Sequence, residues 1–223
     1  MIVARLLWAL LLCCLVQQAL AQSPQLPTKV EKPNFKLGDT WVYNKLDGWS
    51  GNLLNVSVNT LRKMDSSGYM MESVQGFAGP VSKVLRDKNF NMFRIEADKF
   101  EQNAKPFYPN YVFPLSVGQR WKQKVEMTKS TDSNGKVVVA DLESRVVGWE
   151  MVTVPAGNFV ALKIETSGWY NGSISGWAWG GQIHETLWFA PEVRNAVRYE
   201  YQDRSSSIDN HEIHELQSYW LAP

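Results

Sequence analysis

Apolar and polar residues alternate with a period of two over most of the chain beyond residue 36, and the alternation is clearest between residues 152 and 202. From Phe159 to Thr166 one side carries Val160, Leu162 and Ile164 and the other Lys163 and Glu165, the pattern of a half-buried strand. Pro155, Ala156, Gly157 and Asn158 supply the fixed and positive φ values of a turn just before it. Asn171-Gly172 is a strong hairpin signal. A two-residue turn there sets Thr166 opposite Trp177, Ile164 opposite Trp179, Leu162 opposite Gly181 and Val160 opposite Ile183. Positions 160, 162 and 164 then share a face with Trp177, Trp179, Ile183, Leu187 and Phe189, whereas a one-residue slip turns the tryptophans onto the charged face.

The same reading extends along the chain. Trp41 and Tyr43 alternate with Val42 on a first strand, turned at Asp47-Gly48 or Ser50-Gly51. A second strand sets Leu54, Val56 and Val58 against Asn55, Ser57 and Asn59, and further strands are predicted over 69–77, 81–86 and 90–95. Residues 97–104 suit a short helical turn. Pro106, Pro109 and Pro114 break the pattern over 105–116, and the aromatic Phe107, Tyr108, Tyr111 and Phe113 of that loop should pack back onto the sheet or close one end of it. Val117-Gly118-Gln119-Arg120-Trp121 then echoes Leu37-Gly38-Asp39-Thr40-Trp41, 80 residues earlier. Asn134-Gly135 predicts a second hairpin, with Met127 opposite Leu142, Val125 opposite Ser144, Gln123 opposite Val146 and Trp121 opposite Gly148. Residues 204–210 read as a polar loop and 212–220 as a last strand. The expected class is mainly β, an antiparallel, strongly curved sheet or partly open β-barrel of about ten to twelve strands with few or no long helices. Residues 36–223 form a single β domain, with two similar β layers divided near 105–116 as an alternative.

The first 21 residues change the picture of where this domain works. Arg5, the apolar run Leu6 to Val16, and Ala19-Leu20-Ala21 before Gln22 have the form of a secretory signal peptide. Residues 22–35, with Pro24, Pro27 and Pro33, read as an extended segment leading into the domain. Cys13 and Cys14 are the only cysteines and lie in the leader, so the mature chain is cysteine-free. That removes thiol nucleophiles, redox pairs and cysteine metal sites, and favours the periplasm of a Gram-negative bacterium over a disulfide-rich eukaryotic exterior. A lipid-anchored form through Cys13 is the alternative. Of 23 basic residues 22 remain after the leader, against 22 acidic ones. The charge is scattered and balanced, which argues against nucleic acid, and no stable membrane span is expected once the leader is gone.

Candidate chemistry is sparse. His184, His211 and His214 are the only histidines, and the odd spacing of the last pair sends them to opposite faces of a strand, so no metal site is expected. No Gly-x-Ser-x-Gly elbow exists, and no cofactor motif. Glu185 falls on the inward face with Leu187 and Phe189, where a carboxylate must be paired or lie beside a lumen. Between Ser167 and Gln182 no residue is charged, and Gly168, Gly172, Gly176 and Gly180 are interspersed with Trp169, Tyr170, Trp177 and Trp179. The glycines either leave room for a flat ligand or let the sheet curl round bulky indoles. Trp41, Tyr43, Trp121, Trp177, Trp179, Glu185 and Phe189 are the candidate ligand-binding residues. They suit non-catalytic binding of an apolar or glycan-like ligand, or of an envelope partner protein, in an aromatic-lined concavity. A hydrolase acting on envelope polysaccharide through paired carboxylates, and a structural or assembly module without a ligand, are the other classes; the residues favour a protein that is not an enzyme.

Two blocks carry a family likeness. Val154-Pro155-Ala156-Gly157-Asn158-Phe159, followed by Trp188-Phe189-Ala190-Pro191-Glu192-Val193 and then Val197, Arg198 and Tyr199, resembles the bacterial exported family called Domain of Unknown Function 3108. Gly38-x-x-Trp41-x-Tyr43 and Pro114-Leu-x-x-Gly118-x-x-Trp121 are similar to it too. Arg194-Asn195 departs from the glycine that members often carry after Pro-x-Val. The resemblance implies an exported β domain without a settled activity, with structural roles for Pro155, Gly157, Phe159, Trp188, Pro191 and Arg198 beside the turn pair Asn171 and Gly172.

Overall fold

The computed structural model of the 223-residue chain describes residues 26–76, 79–130, 136–174, 176–205 and 209–223. The leader and the Asn134-Gly135 pair lie outside the described residues. Twelve strands close into one antiparallel barrel. Six run as a meander: β2 (Thr40–Asp47), β3 (Leu53–Asp65), β4 (Gly68–Gln75), β5 (Val81–Arg86), β6 (Met92–Ala97) and β7 (Phe100–Lys105). Six more follow: β9 (Arg120–Lys129), β10 (Val137–Val154), β11 (Gly157–Ile174), β12 (Trp177–Ala190), β13 (Asn195–Ser205) and β14 (Asp209–Trp220). β7 pairs with β9 and β14 with β2, so the two meanders seal each other's edges. Outside the barrel, β1 (Lys29–Val30) pairs with β8 (Leu115–Ser116).

The 80-residue echo marks the same corner at the start of each meander. Gly38 and Gly118 have φ of 93° and 87°. The Gly38 amide donates to Leu61 O and that of Leu61 to Asp39 O; the Gly118 amide donates to Val146 O and that of Val146 to Gln119 O. In each corner the side chain after the glycine caps the turn, Asp39 Oδ2 accepting from the Lys36 amide and Gln119 Oε1 from that of Ser116. The β5–β6 and β12–β13 connections match as well. Phe90 (φ 68°) and Arg194 (φ 59°) are the two non-glycine residues with positive φ among those described, each precedes an asparagine, and each donates its amide three residues back.

The sheet is closed, where the sequence left it curved or partly open, and several local expectations are corrected. Residues 97–104 are not helical: Phe100–Lys105 is a strand hydrogen-bonded to β6 and β9, because closing the barrel there needs an edge partner for each. Only Pro155 and Ala156 make the β10–β11 turn, since Val154 already faces Gly157. Asn171-Gly172 is no turn at all. β11 runs on to Ile174, Asn171 lies opposite Gly180 and Gly172 opposite Trp179. Leu162 consequently faces Phe189, eight residues beyond the predicted Gly181, and Met127 faces Val138, four short of Leu142. Both slips are even, so strand faces are preserved. Val160 nevertheless leaves the inner face. A bulge at Val146/Gly148 shifts burial from Phe159 and Ala161 to Leu162 and Ile164, and Val160 lies opposite the exposed Met151. Residues 26–35 are not merely extended, for Phe35 is buried and stacks on Phe90 at 4.1 Å.

The two meanders fill the interior differently. β9–β12 turn aliphatic side chains inward, among them Val125, Leu142, Val146, Ile164 and Leu187. In β2–β4 the inner row mixes apolar and polar residues, Trp41, Tyr43 and Met71 beside Asn59 and Ser73, and a valine row lies on the other face. Val42, Val58, Val74 and Val81 lie directly opposite one another across four neighbouring strands, while Ser57 and Asn59 line the lumen. Across the outside of β10–β14 a ladder joins Glu150, Lys163, Trp188, Arg198 and Glu215. The Trp188 indole donates to Glu150 Oε2 at 2.8 Å.

Candidate functional site

The lumen holds a cavity of about 280 Å³. Its position follows from the aromatic loop between β7 and β8, which packs back into the barrel. Buried Asn91 grips that loop by two bonds, its Nδ2 donating to Tyr111 O and its Oδ1 accepting from the Tyr111 amide, both at 2.8 Å. Trp121 Nε1 donates to Pro109 O at 3.1 Å, and Tyr111 and Phe113 meet Phe189 at 5.5 and 5.6 Å between ring centroids. The loop plugs the lumen on the aliphatic side and leaves open the space against β3–β5.

The open wall combines polar groups with the apolar Met71 and Val84. Ser57 and Asn59 of β3, and Ser73 and Gln75 of β4, face the cavity from alternate positions. Tyr43, Tyr111 and Tyr199 present rings, and His214 and Arg86 are the basic groups in the lining. The Tyr43 hydroxyl donates to Ala196 O at 2.6 Å, which fixes its ring, and burial pushes its pKa far up, so that it stays a donor. Behind Tyr199 sits Glu185, itself buried. It accepts from the Tyr199 hydroxyl at 2.9 Å and from that of Tyr108. Burial pushes the Glu185 carboxyl up to about 7, against the pull of these two donors.

Of the candidate ligand-binding residues singled out from the sequence, Tyr43 alone lines this cavity, and Glu185 stands behind it through its bond to Tyr199. Trp41 is fully buried and donates to Val193 O at 2.7 Å, a link between the meanders. Trp121 and Phe189 hold the loop. Trp177 is 79% exposed at the hairpin tip, away from the lumen, because β11 and β12 run on beyond the end of β13. Trp179 lies over Gly172, where a Cβ would come within 2.1 Å of its ring, and Tyr170 covers Gly181 in the same way at 2.5 Å. Those glycines make room for the indole and the phenol opposite. Pro191 opens a single 3-10 turn, Pro191–Val193, from which Arg194 reaches Asp39. Phe159 is buried against Tyr219, and Arg198 and Trp188 belong to the outer ladder. Sequence reasoning missed Arg86, Ser57, Asn59, Ser73, Gln75, Tyr111, Tyr199 and His214 as lining residues. The signal available was two successive strands with polar side chains at alternate positions.

A shallower groove of about 430 Å³ lies outside, around the 65% exposed Trp169. No group of three or more potential metal-ligating side chains occurs among the described residues.

No protein-family model matches the chain, and no curated protein matches it in sequence. Its fold has solved counterparts. A Bacteroides fragilis protein with a YmcC-like fold, inferred to be exported, is 14% identical over 86% of this chain and 99% of its own, with a TM-score of 0.55. An inferred lipoprotein of Parabacteroides distasonis is 14% identical over 86% and 99%, at 0.47. The hypothetical lipoprotein YmcC of Escherichia coli is 8% identical over 83% and 85%, also at 0.47. The fold of this chain is YmcC-like. The likeness is one of architecture, and the site has to be read from its own residues.

Proposed function

We propose that this is a non-catalytic exported protein of the bacterial envelope, working in the periplasm, whose barrel lumen binds a small glycan-like ligand. The observation that carries the reading is the cavity, which brings amide and hydroxyl groups together with tyrosine rings. Planar amides, hydroxyls and aromatic faces are the groups that meet sugar hydroxyls and the apolar faces of sugar rings. Its size is near the lower end for small-molecule sites and suits a chain end or a single sugar rather than a long polymer. Export is supported by the form of residues 1–21, by the resemblance to exported proteins of unsettled activity, and by the inferred export of the B. fragilis counterpart. A non-catalytic role is supported by the surroundings of the two buried carboxylates among the described residues. Glu185 meets two phenols, and Asp39 is held by Arg194 and backbone amides.

The half-exposed valine row of β2–β5, with Leu53 and Leu54 exposed at its end, favours a second reading as an assembly surface. Mass spectrometry of protein taken from its own envelope separates the two. The lumen reading expects a bound saccharide that Ser57→Trp, which fills the cavity, excludes without loss of fold. A protein partner retained by both forms, with no small molecule in either, would overturn it.

A further inference from the structure

One charged side chain on the lumen wall makes no ion pair among the described residues. Arg86 ends β5 on the inward row of Ser82 and Val84, beside a bulge at Leu85/Arg86 of the kind that re-aims a side chain. Its Nη1 donates to Phe90 O at 2.9 Å and its guanidinium lies 4.8 Å from the Phe90 ring centroid. Its Nε is buried and has no hydrogen-bond partner, and no carboxylate lies within ion-pair distance among the described residues. Asp87, next in sequence, turns its Oδ1 to the amides of Asn89 and Asn91.

We propose that Arg86 receives a carboxylate of the lumen ligand, which makes that ligand an acidic sugar of the uronate class; this rests on the lumen being the binding site. Guanidinium does not give up its proton at any working pH, so its charge must be met by an anion or by solvent. Its planar fork matches a carboxylate in two parallel bonds. A fatty acid could set its tail against Met71, Val84 and Leu187, but a cavity of about 280 Å³ is short for a long chain, and Ser57, Asn59, Ser73 and Gln75 would lose solvent without gaining a partner. A phosphate dianion is ordinarily met by several cations or by a nest of backbone amides. The polar groups of the wall and the single fork suit one carboxylate on a hydroxyl-rich body.

Calorimetric titration of the mature protein with glucuronate and galacturonate, each against glucose and galactose, tests the assignment. The acids should bind about tenfold or more tightly than their neutral parents, with affinity falling as salt rises. Arg86→Gln should bring acid and neutral sugar level, and Arg86→Lys should keep part of the preference. Neutral and acidic sugars binding equally to the natural protein, both lost in Ser57→Trp, would overturn the role of Arg86 and leave the lumen reading standing. Binding of neither kind would sink both. Should Arg86→Gln fail to fold, the salt dependence of the natural protein and the Arg86→Lys titration decide the matter on their own.

Discussion

Glu185 offers a direct thermodynamic check on the interior. An unfolded glutamate titrates near 4.5 and the buried one near 7, burial being the larger cause. Between those values the native state keeps a proton that the unfolded chain has released, so stability falls as pH rises. It is fully present below 4.5, declines through the interval and is constant again above about 7. At about 1.4 kcal/mol per pH unit the interval is worth about 3 kcal/mol. Glu185→Gln keeps an oxygen acceptor for Tyr108 and Tyr199 and cannot ionise. Urea unfolding of both forms, followed by tryptophan fluorescence from pH 4 to 8.5, isolates the effect, because every other ionisable group is common to both proteins and cancels in the difference. The stability difference should move by about 3 kcal/mol in favour of the glutamine form as pH rises. Tyr108→Phe removes a donor that holds the carboxyl down, and should carry the midpoint of that shift above 7. A difference that stays flat from pH 4.5 to 8 would refute a buried, titrating Glu185.

Two further perturbations test the frame. Asp39 is buried and accepts from Arg194 Nη1, the Ala222 amide and the Lys36 amide, each at 2.9 Å, tying the first corner to the β12–β13 turn and the C-terminal residues. Asp39→Ala should cost about 3–5 kcal/mol in urea unfolding, and a loss below about 1 kcal/mol would show that the cluster bears little of the fold. Gly172→Ala drives a methyl group into the Trp179 ring and should cost about 1–3 kcal/mol while altering the near-ultraviolet circular dichroism of the indole; an unchanged protein would mean that Trp179 is not seated there.

Periodicity made the strand faces legible even where it misplaced the turns. Asn171-Gly172 drew the hairpin four residues too early because an Asn-Gly pair is also compatible with a strand interior when an aromatic ring needs the space that a missing side chain leaves. The register errors of eight and four residues were both even, and so Ile164, Leu187 and Phe189 still came out together on the inner side. What alternation does not contain is which face is inside. β3 offers Leu54, Val56 and Val58 on one side and Ser57 and Asn59 on the other, and it is the polar side that meets the cavity. Arg86 was hidden for the same reason. It ended a short strand with nothing to say that its row faced a lumen, and the partner loop with Tyr111 is contiguous with it only in the folded barrel.

Burial alone does not set that choice. Turning Val56, Val58 and Val74 inward needs only a one-residue change of register in the first meander, but it would carry Trp41, Tyr43 and Met71 out of the interior with it. Instead the bulges at Lys45/Leu46, Leu61/Lys63 and Leu85/Arg86 pin the opposite register. Polar groups facing an enclosed space lose hydration that direct partners only partly restore, and an arginine without a carboxylate loses more. The second meander shows that the same fold can carry an aliphatic inner face, since β10 and β11 do so with Leu142, Val146, Leu162 and Ile164. The buried polar groups of that second meander are paired among themselves, Ser144 with Thr166 and Glu185 with two phenols, whereas Ser57, Asn59, Ser73 and Gln75 face the cavity. Polar side chains turned toward a cavity are best accounted for by what they meet across it.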